Sequence, residues 1–73
     1  MVATALLRSH MVKHSDTQAG LAKDLGLSLS RVNAKIHNTR GAEFKQSEIA
    51  LIKKKYGLSA QEIDDIFFDP KMY

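Results

Sequence analysis

Apolar residues along this chain recur at intervals of three and four, and the runs break at glycine, serine or asparagine. That spacing predicts a series of short α-helices, each with one apolar stripe. The first is expected over about Ala3 to His14, with Ala3, Leu6, Leu7 and Met11 inward, part of His10 or His14 beside them, and Arg8 and Lys13 in water. Ser15 and Asp16 make the corner into a second helix, from about Thr17 to Leu25, whose inner face is Leu21, Ala22 and Leu25. Thr17 is a suitable N-cap, because its hydroxyl can accept a hydrogen bond from an orphan backbone N–H. Gly26 stops the helix, since a left-handed residue there costs glycine nothing and most others about 1–2 kcal/mol. A third helix follows almost at once. Ser28 caps it, Val32 and Ile36 form its buried stripe, and Leu29, Ser30, Asn33, Ala34 and His37 point elsewhere.

Between His37 and Glu43 the period is lost, and asparagine and glycine mark a loop, after which Phe44 plugs the core. A fourth helix from about Gln46 to Tyr56 turns Ile49, Ile52 and Tyr56 inward and ends at Gly57. Lys53, Lys54 and Lys55 suit the negative end of its dipole, whereas Lys45 offers no capping oxygen at its start. Ser59-Ala60-Gln61-Glu62 has the S-x-x-E form of a capping box and opens a fifth helix with Leu58, Ile63, Ile66 and Phe67 buried. Pro70 cannot continue it, so residues 69–73 are expected to form a flexible tail, with Phe68, Met72 and Tyr73 as apolar groups on a terminal arm. The expected fold is all-α, five helices in a single domain over residues 1–73.

Composition narrows the class. The chain has 73 residues and no cysteine, so neither a disulfide nor a thiolate zinc site can staple so small a core. No apolar run approaches the roughly 20 residues that cross a bilayer, and the start lacks the apolar core of a signal peptide; a soluble, cytoplasmic protein with no membrane partner is expected. The net charge of +3 is unevenly spread: residues 1–58 hold ten Lys/Arg against four Asp/Glu, a balance of +6, and residues 59–73 hold one Lys against four acids, a balance of −3. A polyanion would be drawn to the first part and turned away by the second. His10 and His14 stand at i and i+4, but no third or fourth ligand is offered at readable spacing, so no metal and no cofactor are expected. Catalytic chemistry is equally short of parts. There is no glycine-rich phosphate loop, Asp64 and Asp65 point in different directions on a helix, and Ser9 beside His10 lacks a third orienting group. Neither an enzyme nor a small-molecule substrate is expected.

A two-helix unit with a glycine turn also occurs in plain αα-hairpins. The combination of Gln18, Leu21, Ala22, Leu25, Gly26, Leu27, Val32 and Ile36 is more restrictive, and with the run Ala22-Lys23-Asp24-Leu25-Gly26, Asn33 and Ile36-His37 it resembles the helix-turn-helix of the phage Cro and CI repressor family. The ending YGLSAQEIDDIFF is similar to that of small Cro-like regulators from phages of Gram-positive bacteria, so the resemblance spans nearly the whole chain. It implies a five-helix lambda-repressor-like domain with the helix-turn-helix in residues 17–37. It also implies a role in a lysogeny/lysis switch, within the cytoplasm of a bacterial host. Small Ala22 then allows the close crossing that so short a turn demands.

In that family the second helix of the motif lies in the major groove. By position, Ser28, Leu29, Ser30, Asn33, Ala34 and His37 would face DNA, and Gln18 would bond a phosphate. Arg31 and Lys35 would grip phosphate from the flanks, with Arg40 and Lys45 as further phosphate contacts beside the following loop. Asn33 could pair bidentately with adenine, which is worth about 1–3 kcal/mol of discrimination. The partner implied is double-stranded operator DNA, met by a homodimer on two half-sites. Where Leu29 and Ala34 stand, family members often carry long polar side chains. An exposed leucine there suits a protein partner, and in this the chain resembles the modulator-of-repression proteins, which keep the fold but bind the phage's CI repressor. Operator DNA and the cognate CI repressor both stay open as partners.

Overall fold

Five of the largest fully buried side chains come from five different segments of the chain, Leu7, Leu21, Val32, Ile52 and Ile66, and the fold is arranged around them. The computed structural model describes residues 2–68, which form helices α1 (Thr4–Lys13), α2 (Gln18–Leu25), α3 (Leu29–His37), α4 (Gln46–Tyr56) and α5 (Ala60–Ile63). A 3-10 turn at Thr39–Gly41 follows α3, and a π-helical turn at Asp64–Phe68 continues α5. Among the described residues there is no strand, and no helix is long and apolar enough to cross a membrane. The tail expected at residues 69–73, with Pro70, Met72 and Tyr73, lies outside them.

Local capping sets the helix starts. The hydroxyls of Thr17, Ser28 and Ser59 accept from the N–H groups of Gly20, Arg31 and Glu62, and the Glu62 carboxylate accepts from the Ser59 N–H at 2.8 Å, closing the capping box that the S-x-x-E spacing predicts. Glycine sets two of the stops, since Gly26 (φ 71°) and Gly57 (φ 63°) are left-handed C-caps. Lys45 indeed gives α4 no capping oxygen, but Glu48 supplies the other half of the box, its carboxylate accepting from the Lys45 N–H at 2.8 Å.

Four details depart from the pattern of apolar positions. Leu6 is 43% exposed rather than inward, because the first helical segment buries only the narrow row Ala3, Leu7 and Met11, and Val2, before the helix, adds to the core instead. The expected loop after α3 is a tight turn clamped by Asn38, whose amide donates to the Ala42 carbonyl at 2.9 Å and accepts from the Val2 N–H at 3.4 Å. The fifth helix is a single α-turn that widens into the π-turn, where the Ile66 carbonyl accepts from the Ala3 N–H at 2.7 Å and Phe67 meets Phe44 edge-on with ring centroids 5.7 Å apart. Finally, Lys55 does more than face a helix dipole: it pairs with Asp16 and Asp24, tying the end of α4 to α2.

Candidate functional site

Of the nine residues of α3, Val32, Lys35 and Ile36 are buried, Ala34 is half-buried and the other five are exposed. Val32 and Ile36 are 0% and 3% exposed, packed into the core with Leu21 and Ala22 of α2. Helical spacing then turns Leu29, Asn33 and His37 outward as one row, with Ser30 beside them, and all four are exposed. Ala34 is half-buried at the edge of that face, and Arg31 is exposed on its flank. Leu29, at 52% exposed, is a large apolar group standing among polar ones. The Ser28 hydroxyl is occupied in accepting from the Arg31 N–H at 3.2 Å, and it lies 3.3 Å from the Ser30 hydroxyl, so the two serines form a pair at the start of the helix.

The other candidates fall round this face. Gln18, first residue of α2, is half-buried and lines a groove of about 160 Å3 with Thr4, Arg8, Val12, Thr17 and Ile36. Arg40 is exposed in the 3-10 turn packed on α3, and Lys45 is exposed at the N-cap of α4. Arg31, Arg40 and Lys45 make no ion pair among the described residues, which leaves their charges available to an anion.

Lys35 overturns its expected role. Instead of reaching out to phosphate, its side chain is 2% exposed and its ammonium lies 2.7 Å from a Glu48 carboxylate oxygen. The reason is its place three residues after Val32 and next to Ile36, which puts it on the buried arc of α3, where the N-terminal turn of α4 holds a carboxylate to meet it. Burial alone would push the Glu48 carboxyl up, yet the Lys35 ammonium and the Lys45 N–H outweigh it and hold it below its ordinary 4.5. Sequence reasoning also passes over Asp16, whose carboxylate accepts from the Thr17 N–H at 2.8 Å and from the Tyr56 hydroxyl at 2.5 Å. The only local sign is an aspartate directly before an N-cap.

The two histidines of α1 and its C-cap are engaged separately, His10 at 3.5 Å from Glu62 and His14 against the Tyr56 ring with centroids 5.4 Å apart. Among the described residues no group of three or more His, Cys, Asp or Glu is placed to hold a metal ion. Comparison with protein-family models, with curated proteins and with solved structures finds no match for this chain. The α3 face combines short polar side chains, one leucine among them, and cations at the margins.

Proposed function

We propose that the chain is a helix-turn-helix transcriptional regulator of a phage-type lysogeny/lysis switch, with α2 and α3 as the motif, binding operator DNA in a bacterial cytoplasm. The observation that supports it most is the division of α3, whose Val32 and Ile36 are buried while Ser30, Asn33 and His37 are exposed beside Arg31, which makes no ion pair among the described residues. A groove-reading helix needs this: an anchored inner stripe and a solvated row of donors and acceptors. Asn33 reads adenine, Ser30 a base or phosphate, and Arg31, Arg40, Lys45 and Gln18 hold the backbone. So small a module gains discrimination by binding as a homodimer on half-sites about 34 Å apart.

One observation favours a second reading. Leu29 is 52% exposed at the N-terminal end of this face, beside Ser28 and Ser30, and an exposed leucine with polar neighbours is the composition of a protein interface. In that reading the chain is an antirepressor that binds the CI repressor and alters its hold on the operator.

A gel-shift series on the switch-region DNA decides between them, using the chain alone, the neighbouring repressor alone, and both together. A shift by the chain alone, with its preference relaxed at one base pair by Asn33→Ala, supports direct reading. No shift alone but a changed repressor shift, abolished by Leu29→Asp with the fold intact, supports the antirepressor. Neither effect would refute both.

A further inference from the structure

Lys35 and Glu48 put two opposite charges into the core at a point where apolar side chains would pack. Their side chains are 2% and 11% exposed, and the ammonium and carboxylate oxygen are 2.7 Å apart. The same Glu48 oxygen accepts from the Lys45 N–H at 2.8 Å, so it is held from two sides. Removing an ion pair from water costs solvation that mutual attraction only partly restores, and well-packed apolar replacements are often neutral or stabilising. Stability is therefore a poor reason for the pair.

Direction is a better one. Val32 and Ile36 lie four residues apart in a single row along α3, and a single row resists rolling of the helix about it less firmly than contacts on two rows do. Lys35 lies off that row, and its hydrogen bond to an oxygen already fixed at the start of α4 stops the roll. The roll of α3 is also what aims Leu29, Ser30, Asn33 and His37. We propose that Lys35 and Glu48 are positioning residues that hold the exposed face of α3 at one angle, and so serve sequence discrimination more than affinity or stability. This rests on the reading of α3 as the DNA-recognition helix.

The test is the double variant Lys35→Met with Glu48→Gln in the full chain. Methionine keeps the apolar stem, glutamine keeps an oxygen for the Lys45 N–H, and the net charge does not change. The probes are a duplex of roughly 30 base pairs carrying the sequence that wild-type protein enriches from a random pool, and a scrambled duplex of equal length. The variant should keep its helical circular dichroism, its thermal midpoint and the salt slope of binding. Its preference for the enriched duplex should fall about tenfold, the size of one poorly met base contact. Residual dipolar couplings should show α3 turned against α4. Unchanged preference with unchanged couplings overturns the proposal. Loss of folding overturns it too, because the pair would then be a stability element, as does a salt slope lower by about 0.9, which would make Lys35 a phosphate contact. If wild-type protein enriches no sequence, the DNA reading fails; the couplings then decide the positioning claim alone, a turned α3 supporting it and an unmoved one refuting it.

Discussion

Asp16 shows how much of this small core depends on one carboxylate. Besides its bonds to the Thr17 N–H and the Tyr56 hydroxyl, it lies 3.2 Å from the Lys55 ammonium, which also pairs with Asp24. Burial pulls the Asp16 carboxyl up, but the Tyr56, Thr17 and Lys55 hydrogen bonds outweigh it and hold it below its ordinary 3.8. For Tyr56 burial and the facing Asp16 act together, and the phenol titrates well above its ordinary 10.0. The signs follow from linkage. Folding favours ionised Asp16 and Glu48, so their contribution is present above the ordinary carboxylate values and is lost as pH falls through their lowered folded values. Folding favours protonated Tyr56 and charged Lys55, so theirs is complete below pH 10.0 and is lost as pH rises through the raised folded values. Urea midpoints should therefore be flat from about pH 5 to 9 and fall on both sides. Tyr56→Phe should cost about 1–2 kcal/mol at neutral pH, by leaving a half-buried carboxylate short of a donor, and should reduce the alkaline fall to the Lys55 part. An alkaline limb identical to wild type would show that the phenol does not titrate with unfolding.

At the scale of elements, caps and stops make the helices legible from the sequence, because each depends on residues within four positions of one another. Ser59 is the sharpest case: α5 has only four residues, so Ser59→Ala should cost about 0.5–2 kcal/mol and speed amide exchange at Ile63 and Ile66 while leaving α2 and α3 protected. Uniformly faster exchange would mean that α5 unfolds only with the whole domain. Gly20 gives a second test. A Cβ there would press on the Asp16 carboxylate from inside α2, so Gly20→Ala, favourable by helix propensity alone, should lower the thermal midpoint by displacing Asp16 from Thr17 and Tyr56. What local reasoning does not reach is what distant residues decide. Lys35 is buried because Glu48 waits thirteen positions away, and Asp16 meets Tyr56 across forty. Leu6 is exposed because none of the described residues covers that side of α1, a fact its own period does not contain. The outward side of α3 is legible for the opposite reason, since Val32 and Ile36 choose the inner side and helix geometry assigns the rest.

For the whole molecule the question is how far its two charge regions act on one another. The Lys35 and Lys55 pairs remove two cations from the basic inventory, leaving Arg31 on α3, Arg40 in the 3-10 turn after it and Lys45 at the N-cap of α4 without an ion pair among the described residues, while Asp64 and Asp65 stand on the π-turn. The molecule measures 29 × 29 × 21 Å, and the Debye length is about 30 Å at 0.01 M salt but about 8 Å at 0.15 M. At low salt the whole molecule therefore lies within about one Debye length of any polyanion on α3, whereas near physiological salt the field of the acidic end is screened over most of that span. If DNA is the partner, replacing Asp64 and Asp65 with asparagine should raise the association rate severalfold at 0.01 M salt, leave it unchanged at 0.15 M, and alter the preference between duplexes at neither. Stopped-flow fluorescence on labelled duplex measures all three. A rate increase that persists at 0.15 M would instead place the two aspartates in direct contact with the bound partner, and the face presented to it would then extend from α3 to the π-turn.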